Sequence, residues 1–465
     1  MEIKMVLGPP GTGKTTTLLN ILEEELMHVE PERIAYVSYT RKGAYEGRDR
    51  ARDRMNLTIN QLPFFRTLHS IAYRDLGITR GGMLEDNKNL IKQFSKKMGM
   101  NFLGYYSEDF YSNDDQYLFF DFLHRNNPKT ASEYLMGMNE DILKWVRNNY
   151  KRFKDTIGLP DYTDIIESFV KKGESLPVDV AIIDEAQDLT TLQWQMIWVA
   201  FSGCKRIYIA GDDDQAIYEW SGADVDYFIS IKAEIEILKK SYRLPEVIHE
   251  YSAKITDRIQ KRIPKEYYNN GMKGELHKIM DFKEVDIDNG ESWLFLSRNR
   301  WYLKDIEAWL KDLGKVYYNK ENFSVTPSVI SAINKHSFIL KNPDIPRDQQ
   351  SVSMINFLCN SPAQFEKPWY EEFTKMLPET RNYYRRIIGS KTDTKESKIK
   401  LSTIHGIKGG EADNVVMVLD INRAVSKNMN IHHDAEMRCY YVGITRAKKR
   451  LFLVKPHTKY CYPMI

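Results

Sequence analysis

The 465-residue sequence is poor in cysteine, in long apolar runs and in net charge, and each shortage excludes something. Its four cysteines, Cys204, Cys359, Cys439 and Cys461, form no Cys-x-x-Cys pair. A zinc or iron–sulfur centre is therefore not expected, and a reducing, cytoplasmic compartment is. The longest apolar runs, such as "VVMVL", are far too short to cross a bilayer, so no membrane partner is expected. The start "MEIKMVLGPPG" carries no charged-then-apolar leader, and no secretory signal is expected. A formal net charge of +3 gives no global basic field, so nucleic-acid binding has to be argued from local residues. No fixed-period repeat and no low-complexity tract interrupts the chain. What remains, with 42% hydrophobic and 28% charged residues, is a globular protein too long for one ordinary core, so two or more domains are expected.

The first positive signal is phosphate chemistry. "IKMVLG" reads as a short buried strand and runs into "GPPGTGKTTT", which fits Gly-x-x-x-x-Gly-Lys-Thr at Gly8, Gly13, Lys14 and Thr15. In such a loop (Gly8, Pro9, Pro10, Gly11, Thr12, Gly13) backbone N–H groups wrap phosphates and a helix N-terminus faces their charge. Lys14 reaches the outer phosphates, and Thr15, followed by Thr16, offers a hydroxyl to Mg²⁺. Leu18, Leu22 and Leu26 recur at the spacing of a helix that would follow.

Three more apolar runs end in polar clusters, as parallel strands do when ligands gather at their carboxyl ends. They are Ile34–Val37 before Ser38, Tyr39 and Thr40; Val180–Ile183 before Asp184 and Glu185; and Ile207–Ala210 before Asp212. In that frame Asp184 holds the magnesium shell, Glu185 polarises the attacking water, Asp212 backs the metal shell and Gln215 touches the γ-phosphate or its water. Tyr218 and Trp220 lie a few residues on, and aromatic rings are platforms for unpaired bases.

The chain resembles superfamily 1A DNA helicases of the UvrD/Rep/PcrA type. The motifs run in order through both halves: "GPPGTGKTT", "SYTRKGA", "RTLHS", "IIDEAQD", "GDDDQAIYEWSGA", "KKSYRLP", "LSTIHGIKGGEADNVV" and "CYYVGITRAKKRL". The resemblance implies an α/β fold of two RecA-like phosphate-loop motor domains with parallel sheets, each carrying a mainly helical insertion. The first motor would comprise 1–80 and 165–240, with 81–164 inserted. The second would comprise 241–322 and 396–465, with 323–395 inserted, a stretch holding six of the 17 prolines. Legible strands of the second are "WLFLS", "KVYY", "NVVMVL" and "RLFLV". The resemblance further implies that Tyr242 stacks on the nucleotide base, that Arg243 and Arg446 reach the γ-phosphate, and that Glu411 binds the ribose. It places Tyr39 and Trp220 against bases, and Thr40, His69, Thr403 and His405 near the backbone of the strand.

The expected protein is thus an ATP- and Mg²⁺-dependent monomeric motor on single-stranded DNA and single-strand/duplex junctions, moving 3′-to-5′. A strand-stimulated ATPase acting on RNA, or remodelling nucleoprotein without processive unwinding, is the alternative. A phosphate-loop kinase or GTPase would explain Lys14 but neither Arg243 nor "GITRA". The sequence departs from the family at Glu219 and Ser221, where glycine and arginine are usual, and at Gly410, where leucine is. No upstream glutamine motif precedes the first strand, so base recognition by stacking and modest nucleotide discrimination are expected. Other features read as structural. Tyr105, Tyr106, Phe119 and Phe120 would form the core of the first insertion, and His432-His433-Asp434 a surface loop. "KWVRNNYKRFK" would be a solvated helix face or a phosphate-tracking edge.

Overall fold

The computed structural model describes residues 1–103, 114–134, 138–319, 322–390 and 394–464, so Tyr105 and Tyr106 lie outside the described residues. The chain divides into two units: Met1–Arg243 with Thr256–Asn270 and Asp434–Arg438, and Leu244–Ile255 with Gly271–His433 and Cys439–Ile465.

The first unit holds six strands, β1 (Glu2–Leu7), β2 (Ile34–Ser38), β3 (Phe65–Arg66), β4 (Val180–Asp184), β5 (Arg206–Gly211) and β6 (Glu234–Ile237). They pair in the order β3-β2-β4-β5-β1-β6, every pair parallel. Residues alternate between two covered faces, which is why the strands read as unbroken apolar runs. Met5, Val37, Ala181, Ile183 and Ile209 enter one core with Ile71, Phe169, Trp194 and Ile197. Their neighbours Val6, Tyr36, Ile182 and Tyr208 enter the other, with Leu18, Leu19 and Leu22 of helix Lys14–Glu25. Leu26, expected on the same stripe, sits just past the last helical turn and is only partly buried.

Between β3 and β4 the chain forms helices Lys88–Met98, Asp115–Asn126, Pro128–Tyr134, Glu140–Ile157 and Tyr162–Lys172. Leu90, Phe94, Phe102, Leu118, Val146, Tyr150 and Phe153 build a core of their own, and Phe119 and Phe120 a smaller one beside it. Helix Tyr162–Lys172 instead inserts Ile165, Ile166 and Phe169 beneath the sheet. The basic stretch Lys144–Lys154 lies in the amphipathic helix Glu140–Ile157, with Val146, Tyr150 and Phe153 turned inward. Lys154 is buried too, held by Asp161 at 2.5 Å and Asp164 at 2.6 Å.

The second unit holds β7 (Glu275–Ile279), β8 (Trp293–Ser297), β9 (Tyr318–Asn319), β10 (Asn322–Phe323), β11 (Ile399–Thr403), β12 (Ala412–Val418) and β13 (Ala447–Val454). Their order is β10-β9-β11-β8-β12-β13-β7, parallel except for the β9–β10 pair. The strand expected at "KVYY" shrinks to Tyr318–Asn319. Tyr317 is taken up by side chains instead, its N–H donating to Ser324 Oγ and its hydroxyl to Glu307. Helices Pro327–Lys341, Gln349–Asn356, Trp369–Glu372 and Pro378–Gly389 follow. Ile333, Ile355, Trp369, Phe373, Tyr383 and Ile387 share one continuous core with Trp293, Phe295, Leu401 and Val416 of the sheet. The expected loop at His432-His433-Asp434 is the start of helix His433–Ile444, and the Asp434 carboxylate accepts from the N–H groups of Gln260 and Lys261. Among the described residues no helix is long and apolar enough to cross a membrane.

One ion cluster secures the first insertion to helix Tyr162–Lys172. The mostly buried Arg125 guanidinium donates to Asp161 at 2.9 Å, to Asp164 at 2.5 Å and in two bonds to Glu167. Removing the cation strands several carboxylates, so Arg125→Met is expected to cost about 3 kcal/mol in urea unfolding. A loss below about 1 kcal/mol would mean that water screens the cluster.

Candidate nucleotide site

The loop between β1 and helix Lys14–Glu25 is shaped by backbone requirements. Gly11 and Gly13 sit at φ +73° and +80°, the left-handed region that glycine enters without strain. A Cβ on Gly11 would come within 2.3 Å of Arg243 Cβ, so that position also needs the space. Gly8 N–H donates to Gly211 O, and the Thr12 hydroxyl to Pro9 O. No side chain caps the helix that begins at Lys14, and Thr15 and Thr16 lie in its first turn. Uncapped N–H groups at a helix N-terminus make an anion site.

Parallel pairing sets two more strand ends beside this loop, because β5 lies between β1 and β4. Asp184 ends β4, and Glu185 follows at φ +55°. Lys14 Nζ lies 2.9 Å from Glu185 Oε1. Burial works against the lysine's charge, but Glu185, Asp184 and Asp212 more than offset it, leaving Lys14 raised above its ordinary pKa. Burial, then the neighbouring Glu185, pushes Asp184 up to about 6. Its carboxylate accepts from Tyr36 OH at 2.9 Å and from Glu185 N–H at 2.9 Å.

This donor set fits magnesium, a hard cation that takes oxygen ligands and keeps waters or phosphate oxygens for the rest. Thr15 and Asp184 supply a hydroxyl and a crowded carboxylate, and among the described residues no cluster of three or more acid, histidine or cysteine groups offers a cage of its own.

The third strand end carries the acidic triplet. Gln215 Nε2 donates to Asp212 Oδ2 at 2.6 Å. Asp212, expected to back the metal shell, accepts from Gln215 and from Asp214 N–H and pairs with Lys265. Lys265 lies within 3.2 Å of all three carboxylates, and Arg262 grips Asp214 with two bonds.

Three contributors escaped the sequence reading: Tyr36, Gln187 and Lys265. Buried Gln187 donates to Glu185 Oε2 at 2.7 Å and accepts from Asp212 N–H at 3.1 Å, so one amide links two strand ends. An amide amid acids in "DEAQD" was its only signal. Tyr36 looks like any strand aromatic, and Lys265 lies far along the chain.

The stretch Ser241–Arg243 is stitched to the loop. Ser241 Oγ donates to Pro10 O, and Tyr242 N–H to Gly11 O. The Tyr242 ring is 70% exposed, and its edge lies 3.9 Å from where a Cβ on Gly13 would sit.

The residues expected to meet a strand are distributed over both units. In the first, Tyr39 and Tyr218 pack with ring centroids 5.6 Å apart, and Trp220 stacks on Phe119 of the insertion at 6.1 Å. Thr40 caps helix Arg41–Met55 through Gly43 N–H. His69 stands edge-on to Tyr162; burial, then Arg41, pushes it down to about 4, so it is neutral at pH 7. In the second unit Thr403 ends β11 and accepts from Gly406 N–H, while His405 Nδ1 lies 3.9 Å from Cys439 Sγ. Glu411 pairs with Lys448 at 3.4 Å. Arg446, only 2% exposed, donates from Nε to Val442 O.

A glycine loop opening a helix, a lysine at its start and an acid pair on a nearby parallel strand define a RecA-like phosphate-loop fold. The chain belongs to the UvrD/REP helicase family: the model for the UvrD/REP helicase N-terminal domain matches residues 2–236, and that for the UvrD-like helicase C-terminal domain matches residues 398–454. It is 24% identical over 361 residues to a probable DNA helicase II homolog of Mycoplasma capricolum, covering 68% of this chain and 48% of that one. It is 22% identical over 355 residues to DNA helicase II of Haemophilus influenzae, covering 67% and 45%. To the ATP-dependent DNA helicase PcrA of Staphylococcus aureus it is 23% identical over 302 residues, covering 58% and 40%. The chain thus spans about half the length of the curated relatives it matches or less.

Tyr36→Phe deletes one hydroxyl and leaves the buried Asp184 carboxylate short of a donor. It is expected to lower stability by about 1–3 kcal/mol in urea unfolding. A change under about 0.5 kcal/mol would show that Asp184 finds another partner.

Proposed function

We propose that this protein is an ATP-dependent motor that moves on single-stranded DNA and opens duplexes at single-strand junctions, 3′-to-5′. One motor domain would be built on each sheet, and residues 81–164 and 323–395 would be their insertions. The observation that carries the reading is the network from Lys14 through Glu185 and Gln187 to Asp212 and Gln215, which ties three strand ends together beside the phosphate loop.

In that reading the loop's N–H groups and Lys14 hold the ATP phosphates. A phosphate drawn to Lys14 Nζ competes with Glu185 for that charge, so Glu185 changes partner as substrate arrives and takes up the proton of the attacking water. Gln215 orients that water. Thr15 and Asp184 would hold magnesium, which would supply charge neutralisation on the phosphoryl oxygens. Arg243 and Arg446 meet charge that develops in the transition state, Tyr242 stacks on the base and Glu411 takes the ribose. Tyr39, Tyr218 and Trp220 offer ring faces to bases, and Thr40, His69, Thr403 and His405 offer hydrogen bonds to the strand. A neutral His69 contributes a hydrogen bond there, not a charge. Tyr39 packs on Tyr218, three residues past Gln215, so phosphate state and base grip share one loop.

The test is unwinding of matched forks carrying only a 3′ or only a 5′ tail, with ATP and Mg²⁺. Opening of the 3′-tailed fork alone is expected; opening of the 5′-tailed fork alone reverses the polarity, and opening of neither removes the unwinding reading. Glu185→Gln should keep ATP affinity within a few-fold while lowering DNA-stimulated turnover by about a hundredfold or more. Turnover near wild type would assign the proton to another base.

A further inference from the structure

We infer that Lys265 is a positioning residue for Gln215: its ammonium keeps the buried Asp212 an acceptor, and Asp212 in turn fixes which end of the Gln215 amide faces the nucleotide phosphate. The inference rests on the functional reading above and adds a residue to it.

The geometry is a relay of three groups. Lys265 Nζ lies 3.2 Å from Asp212, 2.5 Å from Asp213 and 2.9 Å from Asp214, and the four side chains are essentially sealed from solvent. Asp213 also accepts from Ile263 N–H, and Asp214 is gripped by Arg262, so the segment Arg262–Lys265 is laid along the triplet residue by residue. Three carboxylates face two cations. Arg262 serves Asp214, and Lys265 is the cation in direct contact with Asp212 and Asp213, while the Asp212 charge is also felt by Lys14.

The state of Asp212 decides the sense of the Gln215 amide. An ionised carboxylate only accepts, so it takes Nε2 and turns Oε1 away; a protonated one donates and accepts, and tolerates either sense. Only one sense presents the amide oxygen, the group that can accept a hydrogen from the attacking water. Burial pushes Asp212 up to about 6 even with Lys265 countering it, so the acceptor state depends on the ammonium beside it. The same relay explains a stretch that looks self-repelling in sequence: the acidic triplet is matched by a cation far along the chain, Lys265, 52 residues after Asp213.

The experiment compares Lys265→Met, Lys265→Arg and the double variant Lys265→Met/Asp213→Asn, each in the full chain. ATP affinity, KM and kcat are measured with saturating single-stranded DNA, and folding is checked by thermal melting. Lys265→Met is expected to lower kcat by about tenfold, as a misplaced water would, with KM for ATP within twofold. The double variant restores the balance of one excess negative charge and should recover kcat to within about threefold of wild type; such recovery is not what a merely structural role of Lys265 gives. Lys265→Arg should lie between them. Unchanged kcat in Lys265→Met overturns the inference, as does a folded double variant without recovery. If Lys265→Met does not fold, the double variant alone decides; if that fails to fold as well, Lys265 serves folding and the inference falls. A wild-type chain without strand-stimulated hydrolysis would instead count against the functional reading, which keeps the two failures apart.

Discussion

Parallel pairing of β1, β5 and β4 is the constraint from which the rest follows. All three strands run the same way, so their carboxyl ends arrive at one edge of the sheet. That edge receives the phosphate loop, the Asp184–Glu185 pair and the acidic triplet, and no loop has to travel to bring them together. The burial of both sheet faces makes this affordable in sequence terms: the strands are committed to apolar alternation, and chemistry is confined to the residues just beyond them.

Where a group lies just past an apolar run, the sequence disclosed its neighbourhood. Lys14, Asp184, Glu185 and Gln215 could be placed at strand or helix ends from their local context alone. What could not be read was partnership at long range. Lys265 is an ordinary lysine in "IPKEYY", and nothing local distinguishes it from the solvated lysines around it. Its burial comes from tertiary packing, since Arg262–Lys265 runs over the triplet. Gln187 and Tyr36 are hidden for the same reason, because each acts on a strand end other than its own.

The second sheet shows where local pattern misleads. "KVYY" has the composition of a strand, but Tyr317 finds better partners in Ser324 and Glu307, and ladder pairing begins one residue later. The proline-rich stretch after it, expected as an insertion, adds its aromatic and aliphatic residues to the core of the sheet. Composition marks where chain direction changes often; it does not say whether the resulting helices keep a core to themselves.

Glu185 carries a last consequence. Its backbone sits at φ +55°, a region that costs a side-chain-bearing residue roughly 1–2 kcal/mol and that glycine or asparagine occupies more cheaply. A sequence optimised on this backbone for folding alone would therefore drift towards glycine at position 185, gaining stability while discarding the carboxylate that faces Lys14. If glutamate is the base proposed above, folding and that role pull in opposite directions at this position, and a stabilising redesign has to hold it fixed.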